Sequence, residues 1–226
     1  MATCDPSYID TLITGLVSLG AAFAGAFFAF QFQNRSARKV IEDRHIDSVQ
    51  VSLVHLIRMI NIVGSYRKQI IDPVRDEVLR FMSLPPTPEM NERFDIPLSE
   101  LSFFMSSPHA NLITDLSLLK IRFNNLVEAI NRRSLQHQTE IQPALLQAGA
   151  REGEAAISKP DLETLIGHQT YSTMKKLTDD IVVFSDEIFE ELIQAAADIR
   201  SAALNLYPAA DIPEFRLDDS IAKAAG

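Results

Sequence analysis

The chain is poor in the residues and patterns that several structural classes require. Its only cysteine, Cys4, excludes an intramolecular disulfide. With 8 glycines and 46% apolar residues, it is not a flexible low-complexity chain and has enough apolar side chains for a packed core. No stretch of useful length alternates apolar and polar residues, and no internal repeat is present. We therefore expect an all-α protein.

A second absence concerns charge. The segment from Thr11 to Phe30 contains no charged residue and no proline. Twenty helical residues rise about 30 Å, which is the thickness of a bilayer's hydrocarbon core. A cleaved signal peptide would begin with basic residues and end in small ones, whereas residues 1–10 contain Asp5 and Asp10 and no lysine or arginine. The sequence predicts a tail over residues 1–10 and one transmembrane helix over 11–33.

Positive charge lies on one side of this helix only. Four basic residues follow it and none precedes it: Arg35, Arg38, Lys39 and Arg44. Because basic residues near a span stay on the cytoplasmic side, we expect residues 34–208 to form a cytoplasmic helical domain. The N-terminal tail, with Cys4, is then outside, and a bacterial inner membrane is the expected location.

The net charge of −9 is unevenly distributed along the chain. Residues 31–80 contain nine basic and six acidic residues, whereas residues 152–226 contain six basic and fifteen acidic ones. The basic part is expected to face lipid headgroups. The acidic balance argues against a nucleic-acid partner.

Small residues recur along the predicted span. A stripe with a period of four passes through Ser18, Ala22 and Ala26, and a second stripe includes Gly25. Such stripes let two membrane helices approach closely. They favour a homo-oligomer in the bilayer, although a Gly-x-x-x-Gly pair is absent.

Apolar residues at helical spacing predict three long helices beyond the span. The first seam runs from Ile46 to Val63, with no proline or glycine from Asn34 onward to interrupt a continuous helix. The second runs from Leu112 to Ile130. The third begins at a capping signal around Ser158 and continues through Met174 to Leu206, before Pro208. Three amphipathic helices predict an antiparallel bundle with coiled-coil-like seams.

Proline and glycine mark the connections between these helices. The segment 84–97 contains four prolines and is expected to be a loop. Ser107 and Pro108 have the composition of a helix N-terminus. Residues 147–159 are expected to be a linker, and residues 209–226 a loosely ordered tail.

One short motif indicates chemistry. Arg132 and His137 are separated by four residues, and this pattern resembles the Arg-x4–6-His signature of the HEPN ribonucleases. In that family the paired arginine and histidine cut RNA at a dimer interface of helical bundles. The resemblance implies Arg132 and His137 as catalytic residues of a membrane-tethered nuclease, with phage defence as its implied role. The alternative is that Arg132 and Arg133 are cations that complement the dipole near a helix C-terminus.

Asp179, Asp186 and Glu190 are spaced to lie on one face of the last helix. Carboxylates on one face can bind Ca²⁺ or Mg²⁺, but a solvated face or salt bridges to a basic helix is the favoured interpretation. No Glu-x-x-His pair, phosphate loop or nucleophile elbow is present in the sequence, so we expect no cofactor.

The whole chain is similar in architecture to small uncharacterised single-pass inner-membrane proteins of bacteria. The shared features are an N-terminal anchor, a basic junction and a long last helix ending here in Leu206, Tyr207 and Pro208. That likeness implies no activity. The expected function is a non-enzymatic interaction or scaffold protein that holds an unknown protein partner, or its own copies, at the lipid bilayer.

Overall fold

The computed structural model describes the backbone of residues 6–91, 96–147 and 159–214, and side chains within 16–91, 96–147 and 162–214. The helices in these ranges are α1 (Pro6–Tyr66), α2 (Arg80–Ser83), α3 (Asn111–Gln136), α4 (Gln142–Gln147), α5 (Lys159–Ile166) and α6 (His168–Leu206). No strand occurs in the described ranges, and the all-α prediction is confirmed.

The α1 helix continues without a break from the apolar segment into the packed part of the chain. The chain divides into two compact units, Met1–Asp47 and Ser48–Gly226, and α1 contributes to both. In the first unit every side chain from residue 16 to residue 44 is exposed. The second unit contains the core.

The core of the second unit is built from the three predicted seams. Its members from α1 are Val49, Leu53, Leu56, Ile60 and Val63, and those from α3 are Leu112, Leu116, Leu119, Phe123, Leu126 and Ile130. The spacing of the third seam also predicts that Phe184 is buried in α6, and this prediction is wrong because Phe184 is 45% exposed. Burial of apolar surface along these seams is the main stabilising contribution.

Contacts at two levels show that α3 and α6 are antiparallel. Arg122, in the first half of α3, pairs with Glu187 of α6 at 2.7 Å. Near the end of α3, Arg133 binds the backbone of Phe81, whose ring packs edge-on against Tyr171, close to the start of α6. A bundle with antiparallel neighbours is the arrangement that the seams predict.

Two helix boundaries differ from the predicted ones. The α3 helix begins at Asn111 rather than at Pro108. Here the Ser107 hydroxyl accepts a hydrogen bond from the backbone N–H of His109 at 3.1 Å and closes a local turn instead of capping the helix. The predicted single helix from Ser158 is divided at Gly167, whose φ of 84° suits glycine and ends α5 before α6 begins. Ser158 itself lies outside the described residues.

A smaller apolar cluster holds the short helices. Its buried members are Phe81, Ile141, Leu162, Tyr171 and Met174. The rings of Phe81 and Tyr171 meet edge to face, with centroids 5.1 Å apart. This cluster fixes α2 beside the N-terminal part of α6.

The first residues of the predicted tail pack against the second unit. Ile212 is 4% exposed, and the side-chain amide of Gln50 donates a hydrogen bond to the Asp211 carbonyl at 3.1 Å. Residues 215–226, with the rest of that prediction, lie outside the described residues.

Candidate functional site

Arg133 has 0% of its surface exposed, which makes it the most deeply buried charged residue among those described. Its guanidinium donates hydrogen bonds to the carbonyl of Pro85 at 3.0 Å, to that of Phe81 at 2.9 Å and to that of Leu84. These carbonyls lie in and just after α2, where a helix end leaves acceptors without partners. Arg133 therefore joins the α2 segment to α3.

Two titratable side chains lie close to Arg133. Burial lowers the pKa of Arg133 to about 10, against an opposing effect of Tyr66. Burial likewise raises the pKa of Tyr66 to about 12, which the Arg133 charge opposes. Burial, and then the Arg133 charge, lowers the pKa of His137 below its ordinary value of 6.5, although a backbone hydrogen bond with Met82 acts in the other direction. The surroundings of His137 thus favour a neutral imidazole.

The structure does not bring the two HEPN-like residues onto one face. Arg132 is exposed, whereas His137 is 6% exposed. Five residues along a helix turn a side chain through about 140°, so the two point in different directions. Arg133, one helical turn before His137, is the arginine that shares its face.

The burial of His137 leads to a prediction about pH. A histidine whose folded pKa lies below its unfolded pKa stabilises the fold above pH 6.5, and that contribution is lost as pH falls from 6.5 through the folded pKa. We expect the free energy of unfolding, measured by circular dichroism in detergent between pH 7 and 5, to fall less steeply in His137→Gln than in the unmodified chain. The difference in slope is at most about 1.4 kcal/mol per pH unit, the value for one proton.

His168 provides the control for this measurement because its side chain is 84% exposed. The variant His168→Gln makes the same substitution at the surface and shows how much of any change in slope comes from the substitution itself. Equal slopes in the unmodified chain and in His137→Gln would show that His137 binds its proton equally well in the folded and unfolded chains, which would contradict the prediction.

Arg132 lines an open cleft of about 760 Å³ along α3. The other wall is the segment Thr87–Asn91, which is held on α3 by side-chain hydrogen bonds. Asn131 accepts from the Met90 N–H at 2.8 Å and donates to the Met90 carbonyl at 2.9 Å, as a neighbouring strand would. Ser134 accepts from the Thr87 N–H at 3.1 Å.

The described lining of this cleft offers hydrogen-bonding groups. Its described lining includes Asn124, Glu128 and Gln138, and no histidine or cysteine. The Ser134 hydroxyl is engaged with the backbone and side chain of Thr87, so it is not activated by a neighbouring base. The cleft is suited to polar groups held by amides and carboxylates.

Asp186 is held by two arginines. Arg67 and Arg75 each approach its carboxylate to 2.7 Å, and Arg67 also lies 4.5 Å from the centre of the Phe189 ring. Burial alone would raise the pKa of Asp186, but the hydrogen bond from Arg75 and the charge of Arg67 lower it. These contacts fasten the segment after α1 to α6.

Asp179 is bound in the same way, by Arg80 at 2.7 Å and by Lys175 at 2.7 Å. Burial opposes ionisation here too, but the hydrogen bonds from Lys175 and Arg80 lower the pKa of Asp179. Glu190, the third member of the predicted acidic face, is exposed. Across the described ranges, no group of three or more histidine, cysteine or acidic side chains is arranged to bind a metal ion.

The sequence patterns did not identify Arg133 as a buried residue. A sign of its burial is nevertheless present, because it follows the seam residue Ile130 by three positions and so continues the apolar stripe of α3. A cation at a seam position needs buried acceptors. The sequence does not show that those acceptors are carbonyls some fifty residues earlier.

The predicted close-approach residues of the span are exposed in the first unit. Ser18, Ala22 and Ala26 have open side chains, and a Cβ atom added at Gly25 would meet nothing within 4 Å. The helix that carries them has a segment with a mean hydropathy of 1.5, none of which is buried. Within the described residues, this helix is the one long and apolar enough to cross a membrane.

Comparison with protein-family models, with curated proteins and with solved structures finds no match to this chain.

Proposed function

We propose that this chain is a single-pass membrane protein that acts as a non-enzymatic scaffold at the cytoplasmic face of a bacterial inner membrane. The observation that carries the proposal is the exposure of every side chain from residue 16 to residue 30, in a helix that continues into a packed domain. An exposed apolar surface of this extent needs a partner. The uncharged segment 11–30, to which these residues belong, is about 30 Å long as a helix, and this length matches the hydrocarbon core of a bilayer. The packed second unit supplies the interaction surface.

The proposed orientation places residues 34–208 in the cytoplasm. It is supported by the basic residues that follow the apolar segment and are absent before it, among them Arg35 and Arg38. Protease added to intact spheroplasts is expected to spare a C-terminal tag and to remove it after the membrane is broken. Digestion of the tag in intact spheroplasts would reverse the orientation.

The scaffold role is tested by crosslinking and purification of the tagged protein from solubilised membranes. If the chain is a scaffold, the same partner protein should copurify with the unmodified chain and with the variant in which Arg132 and His137 are both replaced by alanine. The separate placement of these two residues supports a non-enzymatic role. RNA cleavage by the purified chain that disappears in the double variant would instead favour the HEPN-like alternative.

We also propose that the chain forms a parallel homo-oligomer through α1. The support is the exposed small-residue stripe of Ser18, Ala22 and Ala26. In such an assembly the outer tails lie side by side, and Cys4 of one copy can form a disulfide with Cys4 of another.

Mild oxidation of membranes should give a dimer on non-reducing electrophoresis. This dimer should be lost in Cys4→Ser and weakened when Ala22 and Ala26 are replaced by isoleucine. A monomeric mass in detergent together with no oxidised dimer would exclude this assembly.

A further inference from the structure

Three cations lie on one face of α1 just beyond its apolar segment. Helical steps of about 100° place Arg35, Arg38 and Lys39 within an arc of about 100°. All three side chains are exposed. Within the described residues none of them forms an ion pair. This basic face, defined by Arg35, Arg38 and Lys39, is open to a partner.

Arginines of the second unit behave differently. Arg67 and Arg75 bind Asp186, Arg80 binds Asp179, and Arg122 binds Glu187. Arg133 is occupied by backbone carbonyls. The packed unit therefore satisfies these cations internally, whereas the cations of the basic face are left to solvent or to an external anion.

The basic face begins at the outer edge of the lipid headgroup layer when Phe30 marks the end of the hydrocarbon core. Arg35 is then about 7.5 Å and Lys39 about 13.5 Å beyond that end. The headgroup layer extends about 5–7 Å on each side of the core, and charges act over about 8 Å at physiological ionic strength. Glu42 and Asp43 begin about 18 Å beyond Phe30, so their repulsion of the surface is weaker.

We propose that the basic face binds the phosphate groups of anionic phospholipids, so that the anchor gathers phosphatidylglycerol-type lipids in preference to zwitterionic ones. The inference rests on the membrane insertion proposed above. Guanidinium groups donate paired hydrogen bonds to phosphate oxygens, and Lys39 adds a further positive charge. The basic face thereby selects the composition of the lipids next to α1.

The chain contains no tryptophan, so one can be introduced as a reporter. Phe32, which is 77% exposed, lies on α1 between the apolar segment and the basic face. The full-length Phe32→Trp chain is reconstituted in bilayers of phosphatidylglycerol and phosphatidylcholine, with bromine on one lipid or the other. We expect brominated phosphatidylglycerol to quench the tryptophan fluorescence more strongly than brominated phosphatidylcholine does. The association constant for phosphatidylglycerol relative to that for phosphatidylcholine is expected to be about five or more, the effect of one well-placed cation. Salt at 1 M is expected to reduce that preference.

Two sets of variants make the test specific. Replacement of Arg35, Arg38 and Lys39 by glutamine should bring the relative association constant for phosphatidylglycerol to about one. The variant with Arg35→Lys and Arg38→Lys should retain most of the preference, because the positive charge is kept. The matched control replaces three exposed cations of the second unit by glutamine, and it should leave the preference unchanged: Arg132, Lys175 and Lys176.

Carbonate extraction of the same vesicles separates the two proposals. A chain that is extracted is not inserted, and both proposals then fail. A chain that stays inserted but is quenched equally by the two brominated lipids overturns only the lipid preference. Preferential quenching that survives the triple glutamine variant would also overturn it, because the basic face would not be its source.

Discussion

Replacement of Arg133 by methionine is expected to lower the free energy of unfolding by at least about 2 kcal/mol, because two buried backbone acceptors lose their charged donor. Methionine fills a similar volume but leaves the carbonyls of Phe81, Leu84 and Pro85 without their donor. Each buried unsatisfied acceptor costs about 1–3 kcal/mol. Denaturant unfolding in detergent, followed by circular dichroism, measures the loss.

The neighbouring residue provides a matched control for this prediction. Arg132 is exposed, and Arg132→Met is expected to change the unfolding free energy by no more than about 0.5 kcal/mol. Arg133→Lys should also destabilise, because an ammonium group does not reproduce the fork of a guanidinium. Similar stabilities for Arg132→Met and Arg133→Met would show that the three carbonyls find other partners.

The helices were predictable because their apolar residues recur at helical spacing. Every predicted seam residue of α3, from Leu112 to Ile130, is buried. No proline or glycine lies between Asn34 and Val63, and α1 is continuous there. Gly167 was harder to interpret. Glycine is tolerated inside a helix, so its presence alone does not indicate that the chain takes a positive φ of 84° there and divides the helix.

The contacts around the predicted site residues could be foreseen only in part. The acidic face was expected to be solvated or to form salt bridges to a basic helix, and Asp179 and Asp186 contact arginines, whereas Glu190 is exposed. The partners come from about a hundred residues earlier, so no local pattern identifies them. The seam spacing places Arg133 rather than Arg132 in the core, but a motif defined by residue spacing alone does not register which face a residue occupies.

Paired arginines in the middle of the apolar segment are expected to abolish stable membrane insertion. Leu19 and Phe23 lie near the centre of the segment and are 58% and 71% exposed. An arginine at the centre of a membrane helix costs about 3 kcal/mol, and the apolar residue it replaces is itself favourable there. Together Leu19→Arg and Phe23→Arg therefore oppose insertion by about 6–8 kcal/mol.

The measurement is carbonate extraction of membranes, with the chain followed by its C-terminal tag. The double variant should move to the soluble fraction or be degraded, while the unmodified chain stays with the membranes. Leu118 and Ile121 provide a matched pair on α3, with exposures of 55% and 52%. Their replacement by arginine should leave the chain in the membranes, since both residues lie on the packed second unit. Retention of the Leu19→Arg, Phe23→Arg chain in the membranes would mean that the apolar segment is not what holds it there, because two central arginines outweigh what the remaining apolar residues contribute to insertion.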